Sequence, residues 1–118
     1  MNAQELKGRT KAFAHRCVKL ALSLPKTKLG DHVSGQLIRC STSVAANYRA
    51  ALQSQSKAAF ISKLSIVIEE TDESEFWLEF IMDEELMQKE KIVPLFTEAH
   101  ELSSIFIASR KTARQGRS

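Results

Sequence analysis

The chain has 118 residues, enough for one domain with a single buried core. Its 43% hydrophobic and 26% charged content are those of an ordinary soluble globular protein, and no apolar run approaches the roughly 20 residues that span a bilayer. The formal charge of +3 hides a segregation: residues 1–63 hold 11 Lys/Arg against 2 Asp/Glu, residues 64–101 hold 2 against 12, and residues 102–118 hold 4 basic residues and no acid. The basic and acidic stretches must attract one another, within one subunit or between subunits.

The opening MNAQELKGRTKAF mixes charges from the start, unlike a secretory signal. Leu6, Thr10, Phe13, Cys17, Leu20 and Leu24 alternate steps of four and three, which predicts a first helix over about Gln4–Leu24. Pro25 ends it, and PKTKLGD reads as a loop. Asp31 is the expected N-cap of a second helix running to about Leu52, with Val33, Leu37, Val44, Tyr48 and Ala51 on its apolar face. QSQS makes the next turn, and Ser54 or Ser56 caps a third helix that runs to about Met87. Pro94 is expected to open a fourth helix whose core face is Leu95, Ala99, Leu102 and Phe106, ending near Arg110. Residues 1–110 thus form one domain, and 111–118 a flexible basic tail. The fold class is all-α: an up-down-up-down antiparallel four-helix bundle. Cys17 and Cys40 sit inside helical patterns, and no CxxC occurs, so buried reduced thiols of a cytoplasmic protein are favoured over a disulfide or metal site.

The third helix carries two series. Phe60, Leu64, Val67, Thr71, Ser74, Leu78 and Ile81 form the core seam, and the small Thr71 and Ser74 allow a neighbouring helix to approach closely. The second series is Ala59, Lys63, Ile66, Glu70, Glu73, Trp77 and Phe80, apolar at both ends and acidic in the middle. It is either a wide core face with a solvated acidic strip, or a second surface that contacts another subunit. The subunit contact is preferred, because a monomer has little reason to place Ile66, Trp77 and Phe80 off its core stripe. It would make the protein a homo-oligomer. Arg39 and Arg49 of helix 2 are expected to meet Glu70 or Glu73, within or between subunits.

Catalytic chemistry finds little support. A bundle di-metal site needs Glu-x-x-His on two helices; the motif is absent, and His15, His32 and His100 fall on three helices without carboxylates at ligand spacing. There is no Gly-rich phosphate loop, and neighbouring acids of helix 3 point to different faces. No enzyme activity, cofactor or metal is expected. Lys7, Lys11, Lys19, Lys26 and Lys28, with Arg110, Lys111, Arg114 and Arg117, are candidate phosphate contacts for RNA or DNA. They form no clean stripe and have no interleaved aromatics, so a solvated face stands as the alternative, and contact without sequence readout is the most they support.

The run Gln36-Leu37-Ile38-Arg39-Cys40-Ser41-Thr42-Ser43-Val44-Ala45-Ala46-Asn47-Tyr48, followed by Ser56, Phe60, Leu64 and Glu73, resembles the signature of the 23S ribosomal RNA intervening-sequence protein family, also called the four helix bundle protein family. The resemblance covers about residues 5–108. Ala45 or Ala46 stands where the family commonly has proline, Arg49 where an acid often follows the asparagine, and Glu69-Glu70 where a Gly-Ser pair is usual. The resemblance implies a cytoplasmic bacterial bundle that assembles into a ring, typically a homopentamer, with no catalytic residues. One relative, the accessory variability determinant of diversity-generating retroelements, binds nucleic acid and a reverse transcriptase through the basic surface of such a ring. Two readings follow: a homo-oligomeric scaffold for nucleic acid or a nucleic-acid enzyme, or a structural or regulatory protein-interaction module without a nucleic-acid role.

Overall fold

Four helices make up the computed structural model, which describes residues 1–116: α1 (Ala3–Leu22), α2 (Lys28–Leu52), α3 (Lys57–Asp83) and α4 (Lys89–Arg114). No strand occurs among the described residues. Each helix packs on the next, and α4 closes against α1 over a smaller area. Side-chain pairs fix the directions. Ser65 meets Arg110 and Glu75 meets His100 across α3–α4, while His32 meets Trp77 and Cys40 meets Ser74 across α2–α3. Partners descend along one helix as they ascend along the other, so neighbours are antiparallel, as the short connections require. The body measures 47 × 21 × 19 Å, longer than the roughly 39 Å of one 26-residue helix at about 1.5 Å per residue because the helices are staggered and the turns add to their ends.

The starts of α1, α2 and α3 follow capping chemistry, whereas α4 has no side-chain cap. Asn2 and Glu5 form a capping box on α1, and Ser56 Oγ accepts the Ala59 N–H at 3.0 Å on α3. The cap of α2 is Thr27, not Asp31: its hydroxyl accepts the Gly30 N–H at 3.0 Å, and the helix begins at Lys28, inside the segment expected to be loop. Gly30 makes this tight entry possible, because a Cβ there would lie 1.9 Å from the Pro25 carbonyl oxygen.

Two further boundaries differ from expectation. Helix α3 stops at Asp83, where Glu85 adopts φ 52° and the Leu86 N–H donates to the Ile81 carbonyl at 3.1 Å. This is a Schellman-type end with glutamate in the left-handed position that glycine usually fills, and the apolar residue after it packs on the core. Helix α4 begins at Lys89 and carries Pro94 inside it. The cause is the core series, which starts at Ile92 rather than Leu95 and continues in threes and fours through Ala99, Leu102 and Phe106. Burying Ile92 draws the helix back past the proline, at the loss of one backbone hydrogen bond. The same series runs on to buried Ala113, so α4 passes Arg110 and continues to Arg114.

The core is centred on Phe13, Leu37, Leu64, Leu78, Ile81, Ile92, Leu102 and Phe106, all fully buried. The α3 seam is buried as its spacing predicts, apart from the partly exposed Phe60. Its small residues do bring α2 close: Ser74 Oγ lies 3.3 Å from Cys40 Sγ. The buried hydroxyls of Thr10, Thr71 and Ser74 donate to carbonyls one turn back, at 2.7–2.8 Å, which spares them an unsatisfied polar atom. Cys17 and Cys40 are free, buried thiols, pushed up by burial to about 12 and about 11, and so are poor nucleophiles at neutral pH.

Candidate functional site

Up-down-up-down folding sorts the charged residues by bundle end. At one end meet the start of α1, the end of α2, the start of α3 and the end of α4. Residues 1–11, 49–63 and 104–116 bring nine cations there: Lys7, Arg9, Lys11, Arg49, Lys57, Lys63, Arg110, Lys111 and Arg114. Glu5 is the only acid in those segments. The other end is mixed. Lys26, Lys28, Lys89 and Lys91 share it with Asp31, Glu79, Asp83, Glu84, Glu85 and Glu90.

At the basic end, one arginine is consumed inside the subunit. Arg9 makes a fork to Glu98, with Nε to Oε2 and Nη2 to Oε1 both at 2.7 Å, and also reaches Glu101 at 2.9 Å. The fork holds the Glu98 carboxyl below the usual carboxylate range. Arg110 donates to Ser65 Oγ at 3.2 Å. Lys7, Lys11 and Arg49 instead line a concavity of about 390 Å3 between α1 and α2, floored by Ala45 and Ala46. None of these three side chains has an ion-pair or hydrogen-bond partner among the described residues.

The structure therefore separates the two arginines expected to meet the acids of α3. Arg39 does so within the subunit, with Nη1 3.2 Å from Glu70 and Nη2 bonded to Glu73. Arg49 does not. Ten residues further along a 3.6-residue helix leaves it about 80° short of the same face, which turns it towards α1. Glu73 also accepts the Trp77 Nε1–H at 3.3 Å, and the Arg39 guanidinium holds its carboxyl below the ordinary range. Arg39 is not buried: its side chain remains 49% exposed.

The second series of α3 divides in two. Trp77 and Phe80 pack partly on the subunit's own core, whereas Ile66 is 37% exposed. Phe76, half exposed, is an aromatic that the heptad series passes over. Its ring is 4.9 Å from Trp77 edge-to-face and 6.0 Å from Phe80 in a stacked arrangement, and His32 adds an edge to Trp77 at 5.8 Å. Its four-residue spacing from Phe80 is the signal the sequence holds for it. This is an amphipathic aromatic patch bordered by Asp72, Glu75 and Glu79.

The remaining basic candidates do not gather with Lys7 and Lys11. Lys19 lies at the far end in a groove shared with Arg16, Lys91 and Glu90; Lys26 and Lys28 flank the α1–α2 turn. Lys111 and Arg114 lie in the last turn of α4, inside the helix rather than in a tail, and Arg117 lies outside the described residues. The Arg9 cluster had no sequence signal, because its acids lie 89 and 92 residues away. No cluster of three or more potential metal ligands occurs among the described residues, and no described helix is long and apolar enough to cross a membrane.

The model of the 23S rRNA-intervening sequence protein family matches residues 4–108. A crystal structure at 1.70 Å of a protein of unknown function, from the S23 ribosomal protein family of Bacteroides thetaiotaomicron VPI-5482, superposes with a TM-score of 0.87 at 34% identity. The match covers 95% of this chain and 100% of that one. Among curated proteins none matches the chain.

Proposed function

The chain belongs to the 23S rRNA-intervening sequence protein family, and from its surface we propose that it is a non-enzymatic, homo-oligomeric scaffold that holds nucleic acid by charge at its basic end. The observation that carries this reading is the gathering of nine cations from segments far apart in the chain, whose own acid is Glu5 alone and of which Arg9 is met by Glu98 and Glu101 of α4. A field of one sign at one end of a body attracts a polyanion, and neutralising backbone phosphates releases counterions. The cations are scattered over four helix ends, which suits backbone phosphates rather than base edges, so sequence-independent binding is expected. The assembly is proposed as a closed ring, a pentamer by the family resemblance, with the Phe76–Trp77–Phe80 patch at the subunit contact and the cytoplasm as its place of work.

The test is anisotropy with mixed-sequence RNA and DNA at about 50 and 200 mM salt. Binding that falls steeply with salt supports the reading; no binding to either polymer at the lower salt ends it. The exposed Phe76 favours a second reading, a protein-interaction module without nucleic acid. That reading replaces the first if the polymers fail to bind while sedimentation shows an assembly. A monomer at micromolar concentration removes the ring from either.

A further inference from the structure

The α1–α2 groove has the composition of an anion site. Lys7 and Lys11 lie one turn apart on α1 and share a face; Arg49 enters from α2 on the opposite wall. Ala45 and Ala46 put no side-chain atom beyond Cβ into the floor, so a ligand can lie close to the α2 backbone. No acid lines the groove. Arg9, between the two lysines in sequence, turns away to Glu98 and Glu101, and Arg39 turns to α3. The fold neutralises its neighbours and leaves these three cations facing one concavity, where they repel one another unless an anion sits between them.

We propose that this groove is a seat for a phosphate group, and that on the nucleic-acid reading above, on which this step rests, the group is a backbone phosphodiester. The planar guanidinium of Arg49 suits two phosphate oxygens at once, and the lysines act as point charges on the rest. No aromatic or amide side chain lines the groove, so its three cations are expected to hold the phosphate rather than to sandwich a base. This assigns Arg49 to ligand binding rather than to the acids of α3. It also narrows a diffuse basic surface to one site whose loss is measurable.

The experiment compares the full-length protein with a triple variant, Lys7→Gln, Lys11→Gln and Arg49→Gln. Lys89→Gln with Lys91→Gln at the opposite end serves as the control for general loss of charge, and circular dichroism verifies that each variant is folded. With mixed-sequence duplex DNA, the triple variant should lower the log–log salt slope by about 2.7, near 0.9 for each cation removed from a phosphate, and weaken binding at least about tenfold at low salt; the control should do neither. A second arm titrates inorganic phosphate and follows the Arg49 side-chain resonances by NMR. Shifts that vanish in a Lys7→Gln, Lys11→Gln variant support the seat even if no polymer binds, in which case the nucleic-acid reading fails alone and the source is a free phosphate. Wild-type polymer binding that the triple variant retains at full strength and slope overturns the seat and leaves the nucleic-acid reading standing. A triple variant that binds polymer normally but falls apart into monomers also overturns it, by placing a neighbouring subunit in the groove.

Discussion

At one end of the bundle, cations crowd together on exposed helix termini with few acids to meet them. Towards the other, the surface is acidic and aromatic, and its lysines have carboxylates within the same segments. The difference does not follow the linear charge map. Residues 1–63 are basic throughout, yet folding sends Lys19, Lys26 and Lys28 to the mixed end and keeps Lys7, Lys11, Arg49, Lys57 and Lys63 at the other. Antiparallel topology thus converts a sequence-level segregation into an axial one. On the function proposed above, the two ends would serve different physical tasks: long-range electrostatics at one, contact chemistry at the other.

The sharpest way to break that division is to charge the aromatic patch. Phe76→Glu is expected to abolish assembly, since it places a carboxylate among Asp72, Glu75 and Glu79 on a surface that association must desolvate. Because Phe76 is half exposed, the subunit should stay folded, and polymer binding per subunit at the basic end should persist. Sedimentation and circular dichroism on the same sample check both halves; an intact oligomer would place the subunit contact elsewhere.

Next in size is the internal brace. In the structure Arg9 is 21% and Glu98 16% exposed, between a surface pair and a buried one, so Arg9→Ala is expected to cost about 1–2 kcal/mol in urea unfolding. The pH dependence has a definite sign. Glu98 is held below its usual range in the folded state, so its contribution is present above the unfolded value of about 4.3 and is lost as pH falls through the lower folded value. Arg9→Ala should therefore flatten the acid limb of the stability curve and leave the limb above neutral pH unchanged. An unchanged acid limb would show that the brace does not set Glu98.

How far the sequence disclosed all this depends on the range of the interaction. The four helices, the α3 seam and the close approach at Ser74 are written in three- and four-residue spacings, which local periodicity exposes. The start of α4 is not legible in the same way, because Pro94 is a strong local signal that buried Ile92 overrides. Arg39 meeting Glu70 and Glu73 follows from helix faces, but Arg49 can be placed only by counting its rotation from Arg39, and the Arg9 fork not at all. A charge pairs with whatever topology brings near, and topology is not periodic.

The α3–α4 turn offers a stabilising change. Glu85 sits at φ 52°, where a side chain costs about 1 kcal/mol relative to glycine. Glu85→Gly should raise stability by about 0.5–1 kcal/mol, read as a higher urea midpoint at unchanged slope. It also removes one acid from the mixed end, so polymer binding at the basic end should not change.

The smallest effect is expected at Arg39, and it separates ion pairing from burial. The guanidinium meets two carboxylates, Glu70 and Glu73, which taken alone suggests a strong interaction. Its side chain is nevertheless half in water, where solvent screens the pair and ordering a long side chain offsets the gain. Arg39→Ala in the isolated subunit should then cost only about 0.2–1 kcal/mol, well short of the roughly 3–5 kcal/mol of a stranded buried charge, and the difference should shrink as salt is raised. Glu73 should respond too: without Arg39 its carboxyl loses the largest influence holding it below the usual range, which its titration by NMR would record. If assembly covers Arg39 against a neighbour, the same substitution should cost several-fold more in the oligomer than in the Phe76→Glu monomer. Equal costs in the two would leave Arg39 outside the subunit contact.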